Sequence, residues 1–166
     1  SGTTCVNCGS GTFKSETDLA TSCTGCPANS NSPAGSTAVT ACVANAGSTG
    51  VDGEAAVKCP ADTFKADIGS ADCSACPTNA KTGTGITGSE AIAACKAPAG
   101  YKGVDGEAAV KCPAGTFKAA TGDAACTDCI KGKYKGDTAA DSCDDCARGK
   151  YNENEGSSSV AACTAC

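Results

Sequence analysis

The residues best suited to chemistry in this sequence are its cysteines, 16 among 166 residues. Six pairs have the spacing CxxC, which proteins use for zinc binding, for thiol redox catalysis and at the junctions of disulfide frameworks. The count is even, and this density predicts disulfides, which persist only in an oxidising compartment. We therefore expect the protein to be extracellular or displayed at a cell surface.

Zinc is the chemical alternative, because Cys126-x2-Cys129 and Cys143-x2-Cys146 have the spacing of a zinc ribbon. Four other cysteines stand outside every CxxC pair: Cys42, Cys59, Cys95 and Cys112. A zinc scheme leaves those four unexplained. The sequence therefore favours disulfides, with no metal ion and no cofactor.

Catalysis finds little support in the other residues. The chain has no His, which removes His-based acid–base chemistry and the Cys–His nucleophile, and the βαβ context of a redox CxxC is missing. Asp144 and Asp145 are typical of solvated turns, while a Ca²⁺ site at the two Val-Asp-Gly-Glu turns stays open as an alternative. We predict that the protein is not an enzyme.

Composition limits both the core and the partners. There is no Trp, no Met and only three Phe and three Tyr, so a large hydrophobic core is not expected. The net charge of −5 comes without a cluster of Lys and Arg, which argues against nucleic acid as a partner. The sequence has no apolar stretch of membrane-spanning length, and because it starts at Ser1 we expect a mature or excised segment.

The segment GVDGEAAVKCPA occurs twice without change, at 50–61 and 103–114. If Cys8, Cys59 and Cys112 are taken as equivalent, the repeat predicts three cysteine-rich units: 1–58, 59–111 and a more compact 112–166.

A shorter motif places an aromatic residue five positions after a cysteine, at Phe13, Phe64, Phe117, Tyr134 and Tyr151. Gly or Asp stands two residues before each ring, which fits a turn with positive φ. We expect each ring to pack on its own disulfide, with stacking on a sugar or a base as the alternative.

Cysteine spacing cannot fix the connectivity, but it favours a scheme in which each opening cysteine bonds the next one along the chain. The pairs are Cys8–Cys23, Cys26–Cys42, Cys59–Cys73, Cys76–Cys95, Cys112–Cys126, Cys129–Cys143 and Cys146–Cys163. Each loop would contribute roughly 3 kcal/mol by restricting the unfolded chain. The predicted fold is a small disulfide-rich repeat protein, an elongated stack of short loops and brief β-hairpins with little helix and no large core.

Cys5 and Cys166 remain without partners in this scheme. Either the segment belongs to a longer array, or Cys166 of one copy bonds Cys5 of the next, head to tail. An intramolecular Cys5–Cys166 bond is the alternative, although an elongated stack would hold the two residues too far apart.

Several stretches, among them CPAGTFKAATGDAACTDC and AGYKGVDG, resemble the ephrin-receptor-like and tumour-necrosis-factor-receptor-like cysteine-rich repeats of protist and algal surface proteins, and more loosely the ciliate immobilisation antigens. That family's connector has two further cysteines, at whose positions this chain has alanine: Ala44 and Ala56 in one copy, Ala97 and Ala109 in the other. Their joint absence suggests that the two bonded each other. The resemblance implies extracellular display and association, but no specific ligand.

We therefore predict a structural protein of a cell-surface coat, stalk or filament, associating with copies of itself or with adjoining repeats. A ligand-binding, receptor-like ectodomain is the alternative, which the scarcity of Trp, Tyr and Arg disfavours. The sequence has no Asn-x-Ser/Thr site, so any glycans would be O-linked, for example at 29–40, 82–89 or 157–159. No direct membrane span is expected.

Overall fold

A computed structural model describes residues 7–15 and 22–166 of the chain. The chain divides into two compact units, one made of Ser1–Ala75 and Thr84–Ile92 and the other of Cys76–Gly83 and Ala93–Cys166. The division into sequence repeats at residues 59 and 112 stays a prediction.

Regular structure in the described residues consists of eight antiparallel hairpins, each made of two strands of two residues. In chain order the paired strands are β1 (Thr12–Phe13) with β2 (Thr24–Gly25), β3 (Ser30–Asn31) with β4 (Val43–Ala44), β5 (Ser48–Thr49) with β6 (Val57–Lys58), β7 (Thr63–Phe64) with β8 (Ser74–Ala75), β9 (Tyr101–Lys102) with β10 (Val110–Lys111), β11 (Thr116–Phe117) with β12 (Thr127–Asp128), β13 (Lys133–Tyr134) with β14 (Asp144–Asp145), and β15 (Lys150–Tyr151) with β16 (Thr164–Ala165). Three short 3₁₀ turns lie at Val39–Ala41, Ile92–Ala94 and Val160–Ala162.

The CxxC spacing is explained by these hairpins. In the CxxC pairs from Cys23 onward, the two residues between the cysteines form one strand, and an aromatic residue with the residue before it forms the other, as in Phe117 opposite Thr127. β-Branched and aromatic side chains suit such a pleated ribbon. The prediction of short loops and brief hairpins with little helix is confirmed.

The buried residues are mainly cysteines and alanines instead of large apolar side chains. Cys42, Cys59, Cys95, Cys112 and Cys129 are each 0% exposed. The prediction of no large hydrophobic core is confirmed, because disulfides fill the space that bulky side chains occupy in an ordinary domain. In the described part of the chain no helix is long and apolar enough to cross a bilayer.

Candidate functional site

Seven disulfides join cysteines that are neighbours along the chain, with Cα–Cα distances of 5.6 to 5.8 Å. They are Cys8–Cys23, Cys26–Cys42, Cys59–Cys73, Cys76–Cys95, Cys112–Cys126, Cys129–Cys143 and Cys146–Cys163, the pairs of the sequential scheme. The four cysteines with ribbon-like spacing thus all lie in disulfides. Among the described residues, no group of three or more His, Cys, Asp and Glu side chains is arranged to hold a metal ion.

Two further loops have the same local structure without a disulfide. They begin at Ala44 and Ala97 and end at Ala56 and Ala109, and all four alanines are at most 5% exposed. We number the loops in chain order as loop 1 (8–23), loop 2 (26–42), loop 3 (44–56), loop 4 (59–73), loop 5 (76–95), loop 6 (97–109), loop 7 (112–126), loop 8 (129–143) and loop 9 (146–163).

Each loop turns at a residue with positive φ, three positions after its first residue. These residues are Gly11, Asn29, Gly47, Asp62, Asn79, Gly100, Gly115, Gly132 and Gly149, with φ between 56° and 83°. Gly, Asn and Asp are the residues that adopt this left-handed conformation most readily. The positive φ expected from the Gly or Asp before each aromatic ring is therefore present.

The turn of one loop is hydrogen-bonded to the next loop. The Gly100 N–H in loop 6 donates to the Lys118 carbonyl in loop 7, and the Gly115 N–H in loop 7 donates to the Lys135 carbonyl in loop 8, both at 2.8 Å. In the other unit the Gly47 N–H in loop 3 donates to the Lys65 carbonyl in loop 4 at 2.8 Å. The contact thus repeats with the same atoms in both units.

A second contact runs in the opposite direction, from a later loop to the first residue of the loop before it. The Gly122 N–H donates to the Ala97 carbonyl and the Gly156 N–H to the Cys129 carbonyl, both at 2.8 Å. Close packing also joins loops that are two apart, because a Cβ atom added to Gly115 in loop 7 would lie 2.1 Å from the Gly156 carbonyl oxygen in loop 9. Adjacent loops are thus held together by their backbones.

Two buried lysines lie in the loops that directly follow loops 3 and 6. Lys65 and Lys118 are 4% and 3% exposed. The Lys118 ammonium donates to the carbonyl oxygens of Ala97 at 3.1 Å and Tyr101 at 2.7 Å in loop 6, and also to that of Gly122 in its own loop.

Lys65 repeats this arrangement in the other unit. Its ammonium donates to the carbonyl oxygen of Ser48 in loop 3 at 2.7 Å and to that of Gly69 in loop 4. Each loop without a disulfide is therefore tied to its neighbour by a buried ammonium that binds backbone carbonyls.

Burial lowers the pKa of Lys118 below its usual 10.5, because the charged form is removed from water. The carboxylates of Asp123 and Asp105 oppose this shift. Asp105 also lies 3.3 Å from the Lys96 ammonium, through its Oδ2 atom.

Other polar side chains occupy the position of these lysines in other loops. The Ser32 hydroxyl in loop 2 donates to the Thr12 carbonyl, and the Asn152 amide in loop 9 donates to the Lys133 carbonyl at 2.9 Å. Sequence reasoning did not find this position. The recurring pair of an aromatic residue and Lys, at 64–65 and 117–118, was the signal available.

The family model described as tyrosine-protein kinase ephrin type A/B receptor-like matches residues 52–95 and 115–163, more than half of the chain. The chain belongs to this ephrin-receptor-like family. The match confirms the resemblance to ephrin-receptor-like cysteine-rich repeats, and a disulfide-rich domain of this family fits an extracellular location. A search of curated proteins finds no significant match.

The aromatic rings of the ephrin-receptor-like loops are half-buried at Phe13, Phe64, Phe117 and Tyr134, whereas Tyr151 is 45% exposed. The Tyr151 ring lies against the turn of the preceding loop, since a Cβ atom on Gly132 would approach its Cε2 atom to 3.2 Å. The packing of each ring on its own disulfide stays a prediction.

The carboxylates that were considered for chemistry lie on the surface. Asp144 pairs with Lys135 at 3.2 Å and Asp145 pairs with Lys133 across the β13–β14 hairpin. Exposed pairs of this kind contribute little to stability. Asp52 and the neighbouring acidic residue of its turn are also exposed.

Cys166 has a free, exposed thiol, and Cys5 lies outside the described residues. The Cys166 N–H donates to the Gly149 carbonyl at 3.1 Å, as the Cys129 N–H donates to the Gly115 carbonyl at 2.9 Å. Cys166 thus has the backbone position of a cysteine that opens a loop.

Proposed function

We propose that this ephrin-receptor-like chain is a structural protein of an extracellular coat, stalk or filament. The observation that carries the proposal is the repeated loop-to-loop hydrogen bonding within each unit. Because loops 1, 3, 6, 7 and 8 each donate the N–H of their turn glycine to the loop that follows, such a structure extends by adding copies of one element, as repeat proteins do.

The groups that fill the interior of the protein support a structural role. Disulfide sulfurs, alanines and carbonyl-bound side chains such as Lys65, Lys118 and Asn152 fill it. The amino and amide groups of these three side chains donate to backbone carbonyls, so a role in holding the loops together accounts for their burial. We propose a function without catalysis, metal or cofactor.

For the partner we propose adjoining repeats or further copies of the chain, joined head to tail. The exposed Cys166 thiol supports this proposal, because it has the backbone position of an opening cysteine and is not engaged within the described residues. A bond to Cys5 of the next copy would make a heterologous contact, which propagates into a filament.

Electron microscopy of the purified protein with its disulfides intact tests this function, together with antibody labelling of unpermeabilised cells that produce it. We expect ordered assemblies and label at the cell surface. Dispersed monomers with label confined to the cell interior would contradict the proposal.

A ligand-binding ectodomain is the second candidate, favoured by the receptor-like description of the family. A surface groove lined by Phe117, Ile130 and Lys133 is available for a ligand. Saturable binding of a soluble extracellular protein by the monomer, abolished by Ile130→Asp, would favour this candidate over the structural one.

A further inference from the structure

Most of the chain between Cys8 and Cys163 is bridged by disulfides. Tension applied to the two ends of such a chain passes through the sulfur–sulfur bonds, so the Cα atoms of each bonded pair stay 5.6 to 5.8 Å apart. The residues inside a disulfide loop therefore add no length to the chain while its bond is intact.

Four of the segments without a bridge are the pairs of residues between the cysteines of CxxC. They are β2, β8, β12 and β14, and all four are therefore strands. A strand already rises about 3.3 Å per residue, which is close to the length of a fully extended chain. These four segments add almost nothing under tension.

Two other segments without a bridge are much longer. We name them stretch 1 (43–58) and stretch 2 (96–111), and they contain loops 3 and 6. The two cysteines that flank a stretch are 17 residues apart in both cases. Fully extended, each stretch spans at most about 60 Å.

Non-covalent contacts alone keep both stretches folded, because neither contains a cysteine. Within stretch 1 the strands β5 and β6 form a hairpin, and within stretch 2 the strands β9 and β10 form the equivalent hairpin. Tension on the flanking cysteines acts at the open end of each hairpin. The hydrogen bonds of the hairpin then break one after another, and the stretch lengthens.

The two buried lysines hold the stretches in the folded state. The Lys65 ammonium donates to the Ser48 carbonyl in stretch 1, and the Lys118 ammonium donates to the Ala97 and Tyr101 carbonyls in stretch 2. Both lysines lie in disulfide loops, which stay closed under tension. Each stretch is thus bound by an ammonium that belongs to the covalently closed loop after it.

We propose that stretches 1 and 2 are reversible extension elements, held folded by Lys65 and Lys118. Tension along the chain opens them while the seven disulfide loops stay closed, and they refold when the tension falls. Their hairpins are local, and local hairpins form on the order of microseconds. The inference rests on the proposed structural function, because a coat, stalk or filament places its subunits under tension.

Single-molecule force spectroscopy of the full chain, pulled through tags at its two ends, measures this extension. The chain carries Cys5→Ser and Cys166→Ser, so that no intermolecular disulfide forms. We expect two reversible extensions of at most about 60 Å each. A chain that does not extend before its disulfides break, or that lengthens by much more than both stretches together, would overturn the proposal.

A disulfide across loop 6 should remove most of one extension. Ala97→Cys with Ala109→Cys should shorten one of the two extensions by about 40 Å and leave the other unchanged, once mass spectrometry has verified the bond. Ala97→Ser with Ala109→Ser is the matched control, which changes the same two positions without a bond and should keep both extensions. Two full extensions in the bridged chain would overturn the proposal.

The role of the lysines is tested by the force at which each extension occurs. Lys118→Met should lower the force of one extension without changing its length, because the ammonium that binds stretch 2 is removed. Lys131→Met, at an exposed position of loop 8, is the control and should leave both forces unchanged. Equal forces in the Lys118→Met chain and the wild type would contradict the proposal.

Force spectroscopy of single chains does not depend on assembly, so it separates this inference from the proposed function. Chains that assemble and reach the cell surface but do not extend would overturn the extension elements and leave the structural role supported. Chains that extend but neither assemble nor reach the surface would support the extension elements and contradict the structural role.

Discussion

The Lys118 ammonium donates a hydrogen bond of 2.7 Å to the carbonyl oxygen of Tyr101. Tyr101 belongs to loop 6, which begins and ends at alanine where other loops have a disulfide. Lys65 bonds loop 3, the other loop without a disulfide, in the same way through Ser48. We interpret these lysines as ties that hold each loop without a disulfide to the loop that follows it.

Lys118→Met tests this interpretation, because methionine keeps much of the apolar stem and removes the ammonium. We expect a loss of about 1–3 kcal/mol in the free energy of unfolding, since buried carbonyls lose a charged donor. Thermal unfolding with the disulfides intact measures the loss, and hydrogen exchange should show it concentrated in loop 6. Lys131→Met, at an exposed position of loop 8, is the control and should change stability by less than about 0.5 kcal/mol.

The lowered pKa of Lys118 predicts how stability changes at alkaline pH. Between that lowered pKa and 10.5 the unfolded chain binds more protons than the folded chain, so the free energy of unfolding rises with pH. We expect wild type to gain stability relative to Lys118→Met as pH increases through this window. The Cys5→Ser, Cys166→Ser background avoids disulfide exchange. A relative loss of stability would show that charge-assisted bonding to the carbonyls outweighs desolvation.

A disulfide placed where the alanines of loop 6 lie should offset the stability lost with the Lys118 ammonium. Ala97→Cys with Ala109→Cys should form a bond and recover about 3 kcal/mol in the Lys118→Met variant, by the loop-entropy argument. Mass spectrometry of unreduced peptides detects the bond, and thermal unfolding measures the recovery. Ala97→Cys with Ala108→Cys is the matched control, because Ala108 is exposed whereas Ala109 is buried. Free thiols at 97 and 109 would contradict the equivalence of loop 6 with the disulfide loops.

The turn at Gly100 should tolerate no side chain. Its φ is +78°, and a Cβ atom would lie 2.1 Å from the Ala139 carbonyl oxygen. We expect Gly100→Ala to cost at least about 2 kcal/mol through backbone strain and displacement of that carbonyl. Gly136→Ala in the same unit should be nearly neutral, because its Cβ would meet only the Ser158 carbonyl oxygen at 3.7 Å. Equal thermal stability of the two variants would contradict the close packing of the loops.

Much of this fold is predictable from cysteine spacing, because each disulfide loop is local and repeats its turn residues. The turn motif defined from the sequence, Gly or Asp two residues before an aromatic ring, misses Asn29 and Asn79. These two residues occupy the same positive-φ position in loops that have no aromatic ring. The burial of Lys118 could not be predicted from the sequence, because it depends on which backbone carbonyls of the previous loop are left without a hydrogen-bond donor. Lys135, at the equivalent position of loop 8, instead pairs with Asp144.

Non-reducing electrophoresis of the protein purified without exposure to thiols, beside Cys166→Ser, tests the structural account most directly. Head-to-tail assembly predicts a ladder or material too large to enter the gel for wild type, which reductant collapses to one band and Cys166→Ser abolishes. A single monomer band for wild type in both lanes, with Cys5 and Cys166 free or bonded to each other, would contradict it.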